Sequence, residues 1–183
     1  MDPSPVTPAP DLRVDRASTP TPPEPRLVTT AEGSAVAALD VKFEKLAGCI
    51  RELLPLIRAD WEENGIDLER CPLDLAYDRY LELDLRGTLL VVTARDEGVI
   101  AGFMFCLVNE HIDHVGYLWG LITWYYVHPA YRRQGVGAKM LTFLEDFLKE
   151  NKVRVLEASK KVHKRHGLFK GYRETDVVVR KVL

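Results

Sequence analysis

Apolar positions change their spacing several times along this chain, and each change marks an element. Val41, Phe43, Leu46, Ile50, Leu53, Leu54 and Ile57 recur near the helical period and predict a helix over residues 36–64, kinked at Pro55. Pro72 opens a second helix carrying Leu75, Tyr77, Tyr80, Leu81 and Leu85, and Gly87 closes it. Residues 88–95 and 99–109 then read as two strands joined by Asp96-Glu97-Gly98, a hairpin signal. Residues 120–127 form the next strand. A helix over 136–149 follows, with Val136, Met140, Phe143, Leu144, Phe147 and Leu148 on one apolar face. Residues 153–158 are a further strand, a short basic helix comes after, and 172–183 end the chain as strand. A short first strand is predicted at 26–30.

Residues 1–25 break the pattern. They hold Pro3, Pro5, Pro8, Pro10, Pro20, Pro22, Pro23 and Pro25 and almost no large apolar side chains. Such a segment buries too little surface to offset its ordering entropy, so a disordered or extended arm is expected ahead of one domain at 26–183.

Composition narrows the class. At 183 residues, 46% hydrophobic and 28% charged, the chain has the make-up of a soluble globular domain with a tail. Its formal net charge of -2 argues against a general nucleic-acid binder. No apolar run approaches the roughly 20 residues of a membrane span, and no signal-peptide core opens the sequence. Cys49, Cys71 and Cys106 are widely spaced and odd in number, which favours buried thiols in a reducing cytoplasm over disulfides.

Candidate chemistry concentrates in the sequence His128-Pro-Ala-Tyr-Arg-Arg-Gln-Gly-Val-Gly-Ala-Lys-Met-Leu141, which joins the strand at 120–127 to the helix at 136–149. A helix N-terminus leaves main-chain N–H groups without partners, and its dipole favours an anion. Gly135 and Gly137 allow close approach of a phosphate, and Arg132 and Arg133 add fixed positive charge. A diphosphate suits this junction. The third glycine of a dinucleotide fingerprint is missing, and no Gly-Lys-Ser/Thr ends the loop.

The loop resembles motif A of the GNAT N-acetyltransferase superfamily, Arg/Gln-x-x-Gly-x-Gly/Ala, through Arg132, Gly135 and Gly137. The preceding Val127-His128-Pro129-Ala130-Tyr131-Arg132 is similar to the strand-end signature of that family. From residue 26 onward the order of elements also resembles the GNAT fold. The resemblance implies an α/β (α+β) architecture: a mixed, mostly antiparallel sheet flanked by helices. Gly102-Phe103, His111-Ile112-Asp113-His114 and His128 to Arg132 look most like bacteriophage-encoded members.

Membership implies acetyl-CoA as cosubstrate and an amine as acetyl acceptor. Arg132, Arg133, Gln134, Gly135, Val136, Gly137 and Ala138 would then hold the pyrophosphate. Strand 121–127 would splay from strand 153–158, pantetheine would lie between them, and the backbone N–H of Tyr126 or Val127 would bind the thioester oxygen.

A proton acceptor is harder to place, because the strand Leu121-Ile-Thr-Trp-Tyr-Tyr-Val127 has no carboxylate. Glu110 and His111, in an expected loop leading into it, are candidates for the base, with a solvated loop as the alternative. His111, Asp113 and His114 are too few and too close for a metal site, and His163 and His166 sit on a basic face, so no metal is expected. Gly167 stands where many members carry the Tyr that protonates the thiolate. Tyr172 is a nearby aromatic, either that acid or a core residue.

Charge bears on partners. Asp60, Glu62, Glu63, Asp67, Glu69, Asp74, Asp78, Glu82 and Asp84 face only Arg70 and Arg79 in the segment 59–85, which would steer a cationic amine. A solvated helix face explains them equally. The basic run 160–173 would meet coenzyme phosphate or an acidic partner. The leading expectation is an acetyl-CoA-dependent N-acetyltransferase in the cytoplasm, the host's if phage-encoded. The alternative is a GNAT-fold structural or interaction subunit of a virion or other assembly, joined through the Pro-rich arm or the last strand.

Overall fold

In this computed structural model the described residues are 27–29, 35–37, 39–65, 72–158, Leu168 and Tyr172. The expected arm, basic helix and final strand fall outside them, apart from Leu168 and Tyr172. A two-stranded antiparallel ladder pairs β1 (Leu27–Thr29) with β2 (Ala35–Ala37). The main sheet has the order β3-β4-β5-β6-β7: β3 (Asp40–Phe43), β4 (Leu89–Asp96), β5 (Val99–His111), β6 (His114–Val127) and β7 (Val155–Ala158). The first four strands are antiparallel and β7 runs parallel to β6, so the sheet is mixed as expected. Helices α1 (Leu46–Asn64) and α2 (Tyr77–Leu85) cover one face and α3 (Val136–Glu150) the other.

Strand alternation sorts the core into those two faces. Phe103 and Phe105 pack under α1 with Leu53 and Ile57, while Met104 and Cys106 pack under α3 with Met140 and Leu144. Burial on both faces explains why β5 reads as an unbroken apolar run. The β4–β5 turn has φ 47° at Glu97 and 89° at Gly98, the paired positive values of a tight hairpin. Burial raises the thiols of Cys49 and Cys106 to about 12, which leaves both inert.

Two kinds of expectation are corrected. The first helix starts at Leu46, ten residues later than its apolar spacing predicts. Leu39, Val41 and Phe43 follow a period of two instead and all pack on the α3 side, where the Phe43 ring lies 4.8 Å from Phe143 and 4.6 Å from Phe147. Buried Asp84 then closes the N-terminus of α1 by accepting the N–H of Leu46 at 3.0 Å. The second helix likewise starts at Tyr77 rather than Pro72.

The other correction lies between β5 and β6. Residues 110–119, expected to include a loop, are the two arms of a hairpin that turns at Ile112 and Asp113. Ring packing across the arms holds it: His111 lies 3.9 Å from Trp119 and 5.1 Å from His114, centroid to centroid. Among the described residues, no helix is long and apolar enough to cross a membrane.

Candidate active site

Strand β6 changes its behaviour at Thr123. Phe105 pairs with Trp124 and Cys106 with Ile122, so Thr123 has no opposite residue and forms a bulge. Among the described residues, the last β6–β7 partners are Ile122 and Ala158. Among the described residues, 123–127 pair with β5 alone.

The bulge also switches which main-chain groups face outward. Before it, the Leu118 carbonyl accepts the N–H of Arg154 at 2.9 Å, so even-numbered residues address β7. After it, the N–H of His128 donates to the Ala101 carbonyl at 2.8 Å, and even-numbered residues address β5. Alternation along an antiparallel strand then turns the N–H groups of Tyr125 and Val127 toward the opened edge. By the same alternation the N–H of Tyr126 points to β5.

The chain leaves this edge through a 3-10 turn, Pro129–Tyr131, and reaches α3 five residues later. Gly135 caps the helix in the left-handed region, φ 77°, which glycine adopts without strain. The first helical bond from the cap is Lys139 N–H to the Gly135 carbonyl at 2.9 Å. Val136, Gly137 and Ala138 therefore direct N–H groups out of the helix end with no acceptor four residues back. Gly137 is needed for closeness: a Cβ there would stand 3.3 Å from the Leu168 Cδ1 atom. Gln134 donates from Nε2 to the Ala130 carbonyl at 2.9 Å, while its Oε1 is buried with no hydrogen-bond partner among the described residues.

Arg132 has a different task from the one its charge suggested. Its Nε donates to the Val127 carbonyl at 2.9 Å, and its two terminal nitrogens meet Glu63 at 3.1 and 2.5 Å. The guanidinium lies 5.2 Å from the centre of the Tyr126 ring. It thus ties the end of β6 to α1. Arg133 is exposed on the loop with φ 64°.

On the α1 side, the indole Nε1 of Trp124 donates to Asp60 Oδ2 at 2.6 Å, and Asn64 Nδ2 donates to Asp60 Oδ1 at 2.6 Å. Burial, and then the charge of Asp60, raises the pKa of Tyr125; Tyr126 is raised mainly by burial.

Comparisons with known proteins identify the family to which this fold belongs. The profile described as "Acetyltransferase (GNAT) family" matches residues 50–170. The chain belongs to this acetyltransferase family. No curated protein matches it in sequence. Among solved structures, it is similar to an aminoglycoside acetyltransferase from an uncultured soil metagenomic sample in complex with sisomicin. That match has TM-score 0.64 and 17% identity, and covers 79% of this chain and 96% of that one. A ribosomal-protein-alanine N-acetyltransferase from Brucella melitensis biovar Abortus 2308 gives TM-score 0.58 at 21% identity, over 78% of this chain and 99% of that one. A predicted acetyltransferase from Clostridium acetobutylicum with acetyl-CoA gives 0.61 at 17%, over 78% and 94%. Likeness at this identity establishes the GNAT fold and leaves the substrate to the chemistry of the site.

The residues expected to act in catalysis lie away from Val127 and the glycine loop. Glu110 and His111 sit at the hairpin tip, at the far end of β6 from Val127. Glu110 is paired with Leu118, eight residues before Tyr126, a strand length of about 26 Å. Its carboxylate accepts the Gly116 N–H and His111 accepts that of Asp113 at 3.2 Å, so both serve the hairpin. Tyr172 donates its hydroxyl to Glu145 Oε1 at 2.7 Å. Glu145 lies nine residues along α3 from Val136, about 13 Å from the loop. Tyr172 packs with the α3 core, the other role expected of it. No group of three His, Cys, Asp or Glu residues that could hold a metal occurs among the described residues.

Sequence reasoning named Asp60 only as one of nine acids and did not foresee its contact with Trp124. A signal was there. Ile50, Leu53 and Ile57 form the buried stripe of α1, and Asp60 and Asn64 continue it at helical spacing. Polar residues that extend an apolar stripe point under the sheet's open end rather than into bulk solvent.

Proposed function

We propose that this chain transfers the acetyl group of acetyl-CoA to a primary amine. The observation that carries this reading is the parity switch at Thr123, which turns the N–H groups of Tyr125 and Val127 to the edge of β6 beyond its last described partner on β7. A pantetheine arm has amides that can pair with such an edge as an added strand would. The N–H groups of Val136, Gly137 and Ala138 suit its diphosphate. In this reading Gln134, Gly135, Val136, Gly137 and Ala138 cradle the phosphates, Arg133 adds charge, Arg132 fixes the strand end, and Val127 N–H receives the thioester oxygen.

Amine as the acceptor class draws support from the aminoglycoside acetyltransferase bound to sisomicin and from the ribosomal-protein-alanine N-acetyltransferase. The segments at Gly102-Phe103, His111 to His114 and His128 to Arg132 support a bacteriophage-encoded member acting in the host cytoplasm. The test is thiol release from acetyl-CoA in the presence of primary amines. Release that depends on both the amine and an intact Gly135 supports the proposal. A folded protein that acetyl-CoA neither stabilises to heat nor reacts with overturns it.

One observation favours a second reading, attachment to a larger assembly. Ile112 and Val115 at the hairpin tip are 90% and 85% exposed, and Tyr117, Leu118 and Leu121 extend that apolar surface. A free enzyme runs as a monomer or dimer on sizing; an assembly subunit co-purifies with large particles. The Pro-rich arm at 1–25 and the last strand would serve as tethers in that case, and deleting the arm would leave coenzyme affinity unchanged.

A further inference from the structure

Between Leu121 and Val127, β6 offers no carboxylate, and Glu110 and His111 stand about 26 Å along the strand from Tyr126. An amine of pKa about 10.4 must nevertheless lose protons before and during attack on a thioester. The proton acceptor therefore has to reach the opened edge from another element.

Asp60 does so. It lies on the last turns of α1 and meets β6 through the Trp124 indole, one side chain's length from the strand and immediately after the bulge. Its two oxygens each accept one hydrogen bond of 2.6 Å, from Trp124 and from Asn64, which orients the carboxylate and leaves each oxygen a second lone pair. Its charge, after burial, also raises the Tyr125 hydroxyl. The other carboxylate on this face of α1, Glu63, is held by the Arg132 guanidinium through both oxygens. Thr123 and the tyrosine hydroxyls of residues 125 and 126 are neutral and cannot take a proton at ordinary pH.

We propose that Asp60 holds the nitrogen of a cationic primary amine acceptor and takes its proton during acetyl transfer. This rests on the acetyl-transfer reading above. The ammonium gives its first proton to solvent, and the neutral nitrogen adds to the thioester carbonyl carbon, whose C=O pair moves to the oxygen facing Val127 N–H. As the C–N bond forms, Asp60 takes one of the two remaining N–H protons. The C–S bond then breaks, the thiolate leaves with the pair, and the proton held by Asp60 passes to it through water. The products are one amide and one thiol, with one proton released to solvent.

Putrescine serves as the probe amine. In the acetyl-CoA-bound protein, millimolar putrescine is expected to shift the Trp124 indole N–H resonance, assigned with Trp124→Phe, and Asp60→Asn is expected to abolish that response. Asp60→Asn should also lower the amine kcat/KM about 100-fold, through both kcat and KM, while leaving acetyl-CoA affinity within about twofold of wild type. Asp60→Glu should restore part of the rate. An indole that ignores the amine in wild type, or an equal response or rate in Asp60→Asn, overturns the proposal. Failure of wild type itself to bind acetyl-CoA would instead sink the reading beneath it, so the two outcomes are separable.

Discussion

The hydroxyl of Tyr131 donates to Oδ2 of Asp96 at 3.0 Å, across 35 residues of sequence. Both groups are buried, Tyr131 at 0% exposure and Asp96 at 3%. The bond joins the turn end of β4 to the segment that leads from β6 into the glycine loop. Burial first, and then the neighbouring carboxylate, pushes the Tyr131 hydroxyl up to about 12.

Tyr131→Phe should therefore lower the unfolding free energy by about 2 kcal/mol, because Asp96 stays buried and loses its donor. Denaturant unfolding measures this. The folded pKa lies above the unfolded value of about 10, so the wild-type contribution is complete below pH 10 and is lost as pH climbs toward 12. Tyr131→Phe should make the alkaline loss of stability shallower.

Gly102 holds the end of β6 in place from below. A Cβ at this position would stand 2.9 Å from the Tyr126 carbonyl oxygen, 3.2 Å from Met140 Cε and 3.4 Å from Val127 Cα. Two of those neighbours are main chain and cannot swing aside. Gly102→Ala should cost about 1–3 kcal/mol of stability and weaken acetyl-CoA binding, since it displaces the strand end that carries the Val127 N–H. Unchanged affinity would show that the edge tolerates the shift.

Arg132 and Gly135 should separate in their effects. The Arg132 side chain is committed to Glu63 and the Val127 carbonyl, whereas Gly135 lies at the mouth of the helix end with φ 77°. Gly135→Glu places a carboxylate and a strained backbone where an anion would sit, so it should abolish coenzyme binding. Arg132→Ala should weaken binding only modestly, and Glu63→Gln should match it. Equal losses in Arg132→Ala and Gly135→Glu would mean that the guanidinium turns to the phosphates.

Much of this architecture was legible in the sequence where one local signal dominated. The Asp96-Glu97-Gly98 turn, the strands on either side of it and the stripe of α3 each needed no distant partner, and the glycine loop announced the family. The start of α1 was not, because Val41 and Phe43 fit both a helix and a strand, and what decides is packing against Phe143 and Phe147 a hundred residues away. The hairpin at 110–119 was hidden by its polar residues, whose pairing depends on rings meeting across two strands. Glu110 and His111 belong to that hairpin, at the opposite end of β6 from Val127. Asp60 escaped notice because a carboxylate's role depends on the element it faces, here Trp124, 64 residues further along.

The helix start itself can be tested. Asp84 is 4% exposed, accepts the Leu46 N–H at 3.0 Å and meets Lys45 Nζ at 3.3 Å. Asp84→Ala should cost about 1–2 kcal/mol in unfolding free energy and leave acetyl-CoA affinity unchanged, because the cap lies at the end of α1 remote from Asp60.

The central claim is a working coenzyme site between the opened edge of β6 and the N-terminus of α3. Calorimetric titration of the purified chain with acetyl-CoA, beside Gly135→Glu, tests it most directly. The account predicts micromolar, one-to-one binding that the substitution abolishes without unfolding the protein. A folded wild-type chain that gives no binding heat and no thermal stabilisation with acetyl-CoA would contradict it.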